Sequence, residues 1–116
     1  MRVSNKKLHA SLYQELADSF TQLIIDLKNV DETKKFLGDF FNKNEIQTFI
    51  KRLSVAYWLK KGRSYQNIKE NLKVSSATIA SIQKIMDREG IKIAIKKMEA
   101  DEWANQWSEK IKKMVR

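Results

Sequence analysis

Apolar residues recur every three or four positions through most of the chain, the spacing that aligns one face of an α-helix. Leu8, Leu12, Leu16, Phe20, Leu23 and Leu27 set this rhythm over residues 6–29. Asn29 and Asp31 break it. Asp31 and Glu32 then open a shorter helix running to Phe41, with both acids at the positive end of its dipole. Asn42 followed by Glu45 is a capping-box-like start, and Ile46, Phe49, Ile50, Leu53, Ala56, Tyr57 and Leu59 carry the next stripe. Gly62 ends that helix, because glycine accepts the left-handed conformation of a helix stop. Ser64 caps a helix over residues 65–72 and Ser75 caps another over 76–88, with Gly90 read as its stop. From 91 to 116 the period is helical again: Ile91, Ile95 and Met98, then Trp103, Trp107, Ile111 and Met114. The pattern predicts an all-α protein of six helices without strands.

Composition agrees with that picture and removes several chemistries. The 116 residues fit one domain, and the absence of proline, with only three glycines, suits helices joined by short turns. There is no cysteine, which excludes disulfides and thiolate metal sites. The single histidine, His9, gives no basis for a His-built metal or catalytic centre, so neither cofactor nor metal is expected. No nucleophile–base–orienter set can be assembled, and the reading is that the protein is not an enzyme. A carboxylate site stays open on sequence alone. The acids Asp31, Glu32, Asp101 and Glu102 nevertheless stand at helix starts or on exposed faces, where capping or solvation accounts for them. No run of about 18 apolar residues is present to span a membrane. Arg2, Lys6 and Lys7 are followed by no apolar signal core, so a cytoplasmic, nucleoid-associated protein is expected.

Charge points toward a partner. The chain carries a net charge of +9, and a basic domain attracts polyanions, of which nucleic acid is the commonest. Basicity by itself decides little, since lysine-rich surfaces are often only solvated. Its distribution says more. Lys60, Lys61, Arg63, Lys69, Lys73, Lys84 and Arg88 face only Glu70, Asp87 and Glu89 across residues 60–89. That segment is where phosphate contacts would be needed if the two short helices read DNA.

Those helices, Ser64 to Arg88, have the pattern of a helix-turn-helix, whose second helix enters the major groove. Ile68 and Leu72 on the first, Val74 in the turn, and Ile79 and Ile82 on the second are spaced to hold the pair together. With these buried, Ser75, Ser76, Ala77, Thr78, Ala80, Ser81 and Lys84 are left for other contacts. Small residues let a helix N-terminus approach the groove floor, hydroxyls bond base edges or phosphates, and Ala or Thr methyls meet a thymine methyl. Gln66, Asn67 and Lys69, with Lys73 in the turn, suit phosphate positioning. The plainer alternative is that Ser-Ser-Ala-Thr is only an N-cap with small-residue packing.

A combination of spaced residues adds a resemblance. Asn44-Glu45-Ile46-Gln47, Arg52-Leu53, Val55-Ala56, Gly62, Tyr65, Ile68 and Ser75-Ser76-Ala77-Thr78-Ile79 together resemble the Trp repressor superfamily, and within it the YerC/YecD-like branch. The likeness covers about residues 30–88; the first helix fits in period only, and the tail beyond Gly90 shows no match. It implies a six-helix, Trp-repressor-like, intertwined homodimer whose two heads bind successive major grooves of double-stranded DNA about 34 Å apart. It also implies a transcriptional regulator, with repressor as the expected sign. Carried over, Gln66, Asn67 and Lys69, then Ser75, Ser76, Ala77 and Ala80, would face the DNA.

Departures from the family pattern carry their own expectations. The family's tryptophan corepressor lies between two arginines; Arg52 matches the first, Ser81 stands at the second, and Ile82 replaces the small glycine beside it. Without the second guanidinium the ligand loses a stacking plane, and no tryptophan binding is expected. Arg52 is then free to reach a helix end or a carboxylate in the dimer. Lys69 and Lys73 stand where helix-turn-helix units prefer a small residue and a glycine. A lysine at the turn requires a left-handed or altered backbone at a cost of about 1 kcal/mol.

The domain reading is a DNA-binding part over 1–90, with the helix-turn-helix at 64–88, and a C-terminal helical extension over 91–116. Dimerisation is expected because the stripe from Leu8 to Leu27, with Phe36, Leu37, Phe40 and Phe41, is broad for a chain this size; packing within one chain is the alternative. A second function is a protein-interaction module on the same scaffold, docking a partner through 91–116 with Trp103 and Trp107. Against it, that tryptophan pair is explained by packing on the protein's own body. RNA binding by the same basic face is a third reading, disfavoured by the scarcity of aromatic residues near Ser75–Lys84.

Overall fold

The computed structural model describes residues 9–114; the expectations for residues 6–8, and for the side chains of Trp107, Ile111 and Met114, lie outside the described residues. Among the described residues the chain forms six helices and no strand: α1 (Ala10–Asp26), α2 (Val30–Phe40), α3 (Lys43–Lys60), α4 (Tyr65–Leu72), α5 (Ser76–Gln83) and α6 (Glu89–Met114). The protein is all-α. The helices divide into two compact units, one holding α1 and α2, the other α3 to α6.

In the first unit, His9 caps α1, its Nδ1 accepting from the Ser11 amide at 3.4 Å. The helix closes at Asp26, with Leu27 already extended, three residues before the end predicted from the stripe. Asn29 starts α2 by accepting from the Glu32 amide at 2.8 Å, which satisfies one of the free donors of the first turn. Asp31 and Glu32 lie in that turn as expected. Phe36 stacks on Phe40 with centroids 5.2 Å apart, and Phe41 meets Phe40 edge-on at 5.1 Å. Neither helix buries a residue in the single chain: Leu12, Leu16, Phe20 and Leu23 are each 41–52% exposed.

The second unit holds the core. Val55 and Ala56 of α3, Ile68 of α4, Ile79 and Ile82 of α5 and Ile95 of α6 are buried, with Leu72, Val74, Ile85 and Ile91 among the side chains packed around them. These six buried residues are all aliphatic, so the unit is held by burial of hydrocarbon rather than by internal polar pairs. A Schellman motif closes α3. The Gly62 amide donates to Leu59 O at 3.0 Å and the Arg63 amide to Trp58 O at 3.1 Å, with Gly62 at φ +81°. The Arg63 guanidinium then lies 4.0 Å from the Trp58 ring centroid, fixing the exit toward α4.

Two further boundaries differ from the sequence reading. α5 stops at Gln83 instead of 88, because the chain tightens into i→i+3 bonds from Ile85 to Ile82, Met86 to Gln83 and Arg88 to Ile85. The tightening leaves Ile85 and Met86 against the core, where a continued α-helix has a different pitch. Gly90 is no stop. Positive φ among the glycines belongs to Gly62 alone, and Gly90 is the second residue of α6. The last helix therefore begins at Glu89, and its buried Ile95 belongs to the core of the helix-turn-helix unit.

Candidate nucleic-acid interface

The α4–turn–α5 unit is built from local signals that the core then locks. Ser64 Oγ accepts from the Asn67 amide at 3.1 Å and Ser75 Oγ from the Thr78 amide at 3.1 Å, so both helices start where their serines stand. Between them Lys73 has φ 55° and ψ 52°, the left-handed one of the two backbones its position left open. Ile68 and Ile79 are fully buried and Ile82 nearly so, which clamps α4 to α5 through one apolar seam.

With that seam fixed, the opposite face of α5 is determined. Ala77, Ala80 and Lys84 follow one another by three and four residues, and all three are exposed. Ser75 and Ser76 are exposed at the start of the same helix. The face is small and polar, carries no acid, and ends in a cation. Gln66 and Lys69 are exposed on α4, and Lys73 is exposed in the turn. Gln66 Nε2 donates to Glu70 Oε1 at 2.6 Å, so the amide is held along the helix surface.

Two candidates are less available. Asn67 is half-buried, its Oδ1 accepting from Arg63 Nη1 at 3.2 Å. Thr78 is half-buried too, with its hydroxyl 3.0 Å from Ser75 Oγ. Both shape the helix starts. Two residues that matter here were not among the sequence candidates. Arg63 is anchored between Trp58 and Asn67 at the entrance to α4. Lys51 of α3 donates from Nζ to the Lys73 carbonyl at 3.2 Å. No local pattern marks a contact between residues 22 apart.

Behind α5 an open apolar cleft of about 190 Å³ is lined by Phe49, Arg52, Leu53, Ala56, Ile82, Ile85 and Ile91. Arg52 is exposed there and Ile82 is 2% exposed, while the Ser81 hydroxyl is turned back to Thr78 O at 2.8 Å. One guanidinium thus borders a cleft whose other lining side chains are hydrocarbon.

The family model described as Trp repressor protein matches residues 15–99, well over half of the chain. The chain belongs to the Trp repressor family. A Trp repressor family member is, at the level of the family, one of a set of DNA-binding regulators. The chain is also 33% identical over 70 residues to the uncharacterized protein YerC of Bacillus subtilis (strain 168), an alignment covering 60% of this chain and 67% of that one. This places it with the YerC-like members of the Trp repressor family. Among the described residues no helix is long and apolar enough to cross a membrane, and no group of three or more His, Asp or Glu is arranged to hold a metal ion.

Proposed function

We propose that the protein is a cytoplasmic, nucleoid-associated, sequence-specific transcriptional regulator, a repressor, that binds double-stranded DNA as a homodimer. The observation that carries this reading is the face of α5 opposite Ile79 and Ile82: Ser75, Ser76, Ala77 and Ala80 exposed together, small enough to reach a groove floor, on a helix pair of the family's type. In this reading Ser75, Ser76, Ala77 and Ala80 meet base edges, and Gln66, Lys69, Lys73 and Lys84 meet phosphates. Asn67 and Thr78 act through the helix caps they help to build. The uncovered apolar faces of α1 and α2 support the dimer, because a second copy supplies the hydrocarbon cover that the single chain lacks.

Selection of bound sequences from random duplex DNA tests the proposal. The expected result is an enriched motif with two half-sites related by a two-fold axis. No enrichment at moderate salt sinks it. The cleft beside Arg52 supports a further part of the reading, regulation without tryptophan. Ser81 offers no second guanidinium to stack on an indole, and Ile82 occupies space the ligand would need. Saturable micromolar binding of tryptophan in an isothermal titration would overturn that part alone.

A further inference from the structure

The turn of the helix-turn-helix is closed by a residue that lies outside it. Lys73 takes the left-handed conformation without being glycine, and is the one non-glycine residue with positive φ among the described residues. Its carbonyl is at the C-terminal end of α4, where a helix presents unsatisfied acceptors and a negative partial charge. Lys51, half-buried on α3, places its ammonium 3.2 Å from that oxygen. A cation on the last carbonyl opposes both the dangling acceptor and the dipole. It also fixes the plane of the Lys73–Val74 peptide. That plane sets the direction in which the chain enters Val74 and Ser75, and Ser75 caps α5.

Resting on the DNA-binding reading above, we infer that Lys51 is a positioning residue for DNA recognition: it holds the Lys73 carbonyl so that α5 is presented in one orientation. In this role Lys51 acts on recognition through the turn and not by a phosphate contact of its own.

The full-length chain with Lys51→Met, Lys51→Arg, Lys73→Gly and the Lys51→Met/Lys73→Gly pair tests this on the DNA motif selected by the wild type. Lys51→Met weakens binding about tenfold, the scale of one lost charge-assisted hydrogen bond. The log–log salt slope stays unchanged, whereas loss of a phosphate contact lowers it by about 0.9. Lys51→Arg retains most of the affinity. In the Lys73→Gly background the main-chain acceptor is retained and the backbone is freer to move, so Lys51→Met costs at least as much as it does in the wild type. An unchanged affinity for Lys51→Met, a slope lowered by about one unit, or a loss that disappears in the Lys73→Gly background overturns the inference. Hydrogen exchange of the Val74, Ser75 and Ser76 amides gives a readout without DNA. It accelerates on Lys51→Met in both backgrounds; rates that Lys51→Met leaves unchanged in both overturn the inference. Failure of the wild type to select any DNA sinks the regulator reading, while the exchange rates still decide the role of Lys51 in the turn.

Discussion

Lys73 and Ser75 stand two residues apart and have opposite effects on the turn. The left-handed backbone of Lys73 is unfavourable by about 1 kcal/mol relative to glycine, whereas the Ser75 cap is worth about the same in the other direction. Lys73→Gly is therefore expected to raise stability by about 1 kcal/mol in urea denaturation, and Ser75→Ala to lower it by about 1 kcal/mol. The side chains proposed to face DNA separate by a different measurement. Lys69→Ala is expected to weaken binding to every sequence alike and to lower the salt slope by about 0.9, while changes at Ser76 or Ala77 shift the preferred sequence. Both serine caps were legible in the sequence, because each depends on a residue and its immediate neighbours; for Lys73 the turn pattern left a left-handed or an altered backbone open, and the fold selects the first. The Lys51 contact was not legible, because its acceptor is a main-chain oxygen whose position only the folded core determines.

Helix boundaries divide along the same line. α4 runs over the residues its cap and apolar spacing marked, and α3 ends on the glycine that has positive φ. The end of α5 was misjudged. Glycine stops a helix only where the backbone turns left-handed, and Gly90 does not; the end is set instead by Ile85 and Met86 settling against the core. The α4–α5 pair depends on a narrow seam, so Ile79→Ala, at a site with no exposure, is expected to cost about 2–5 kcal/mol and to remove DNA binding with it. Thermal unfolding followed by circular dichroism measures the first, and a mobility shift the second. α1 differs in kind. It has apolar spacing as clear as any helix here and buries nothing in the single chain, so amphipathicity was readable while the partner of its apolar face was not.

Taken together, the two units imply different sources of stability. The α3–α6 unit has its own aliphatic core, while α1 and α2 expose Leu16 and Phe20. If these faces pair between copies, Leu16→Asp or Phe20→Asp shifts sedimentation equilibrium from dimer to monomer, and the wild-type melting temperature rises with concentration. A dimer insensitive to both substitutions contradicts that pairing. Ile95 of α6 is buried in the core of the α3–α6 unit, with Ile91 packed against it. Removing 91–116 takes Ile91 and Ile95 from the core, and cooperative melting of the α3–α6 unit is expected to be lost. Removing 104–116 spares them, together with Glu99 and Glu102, which lie 3.9 and 3.3 Å from Lys61. With that core retained, the shorter truncation is expected to melt close to the wild type.

α6 passes without a break from Ile95, inside the core, to Met114, beyond the end of the family match at residue 99. Anything joined to its far end is consequently indexed to the α4–α5 pair rather than tethered to it. Each residue added within the helix advances the attachment by about 1.5 Å and turns it by about 100°. A fused reporter should respond to insertions periodically, its orientation returning after about 3.6 residues, as the hand of a clock returns to its hour.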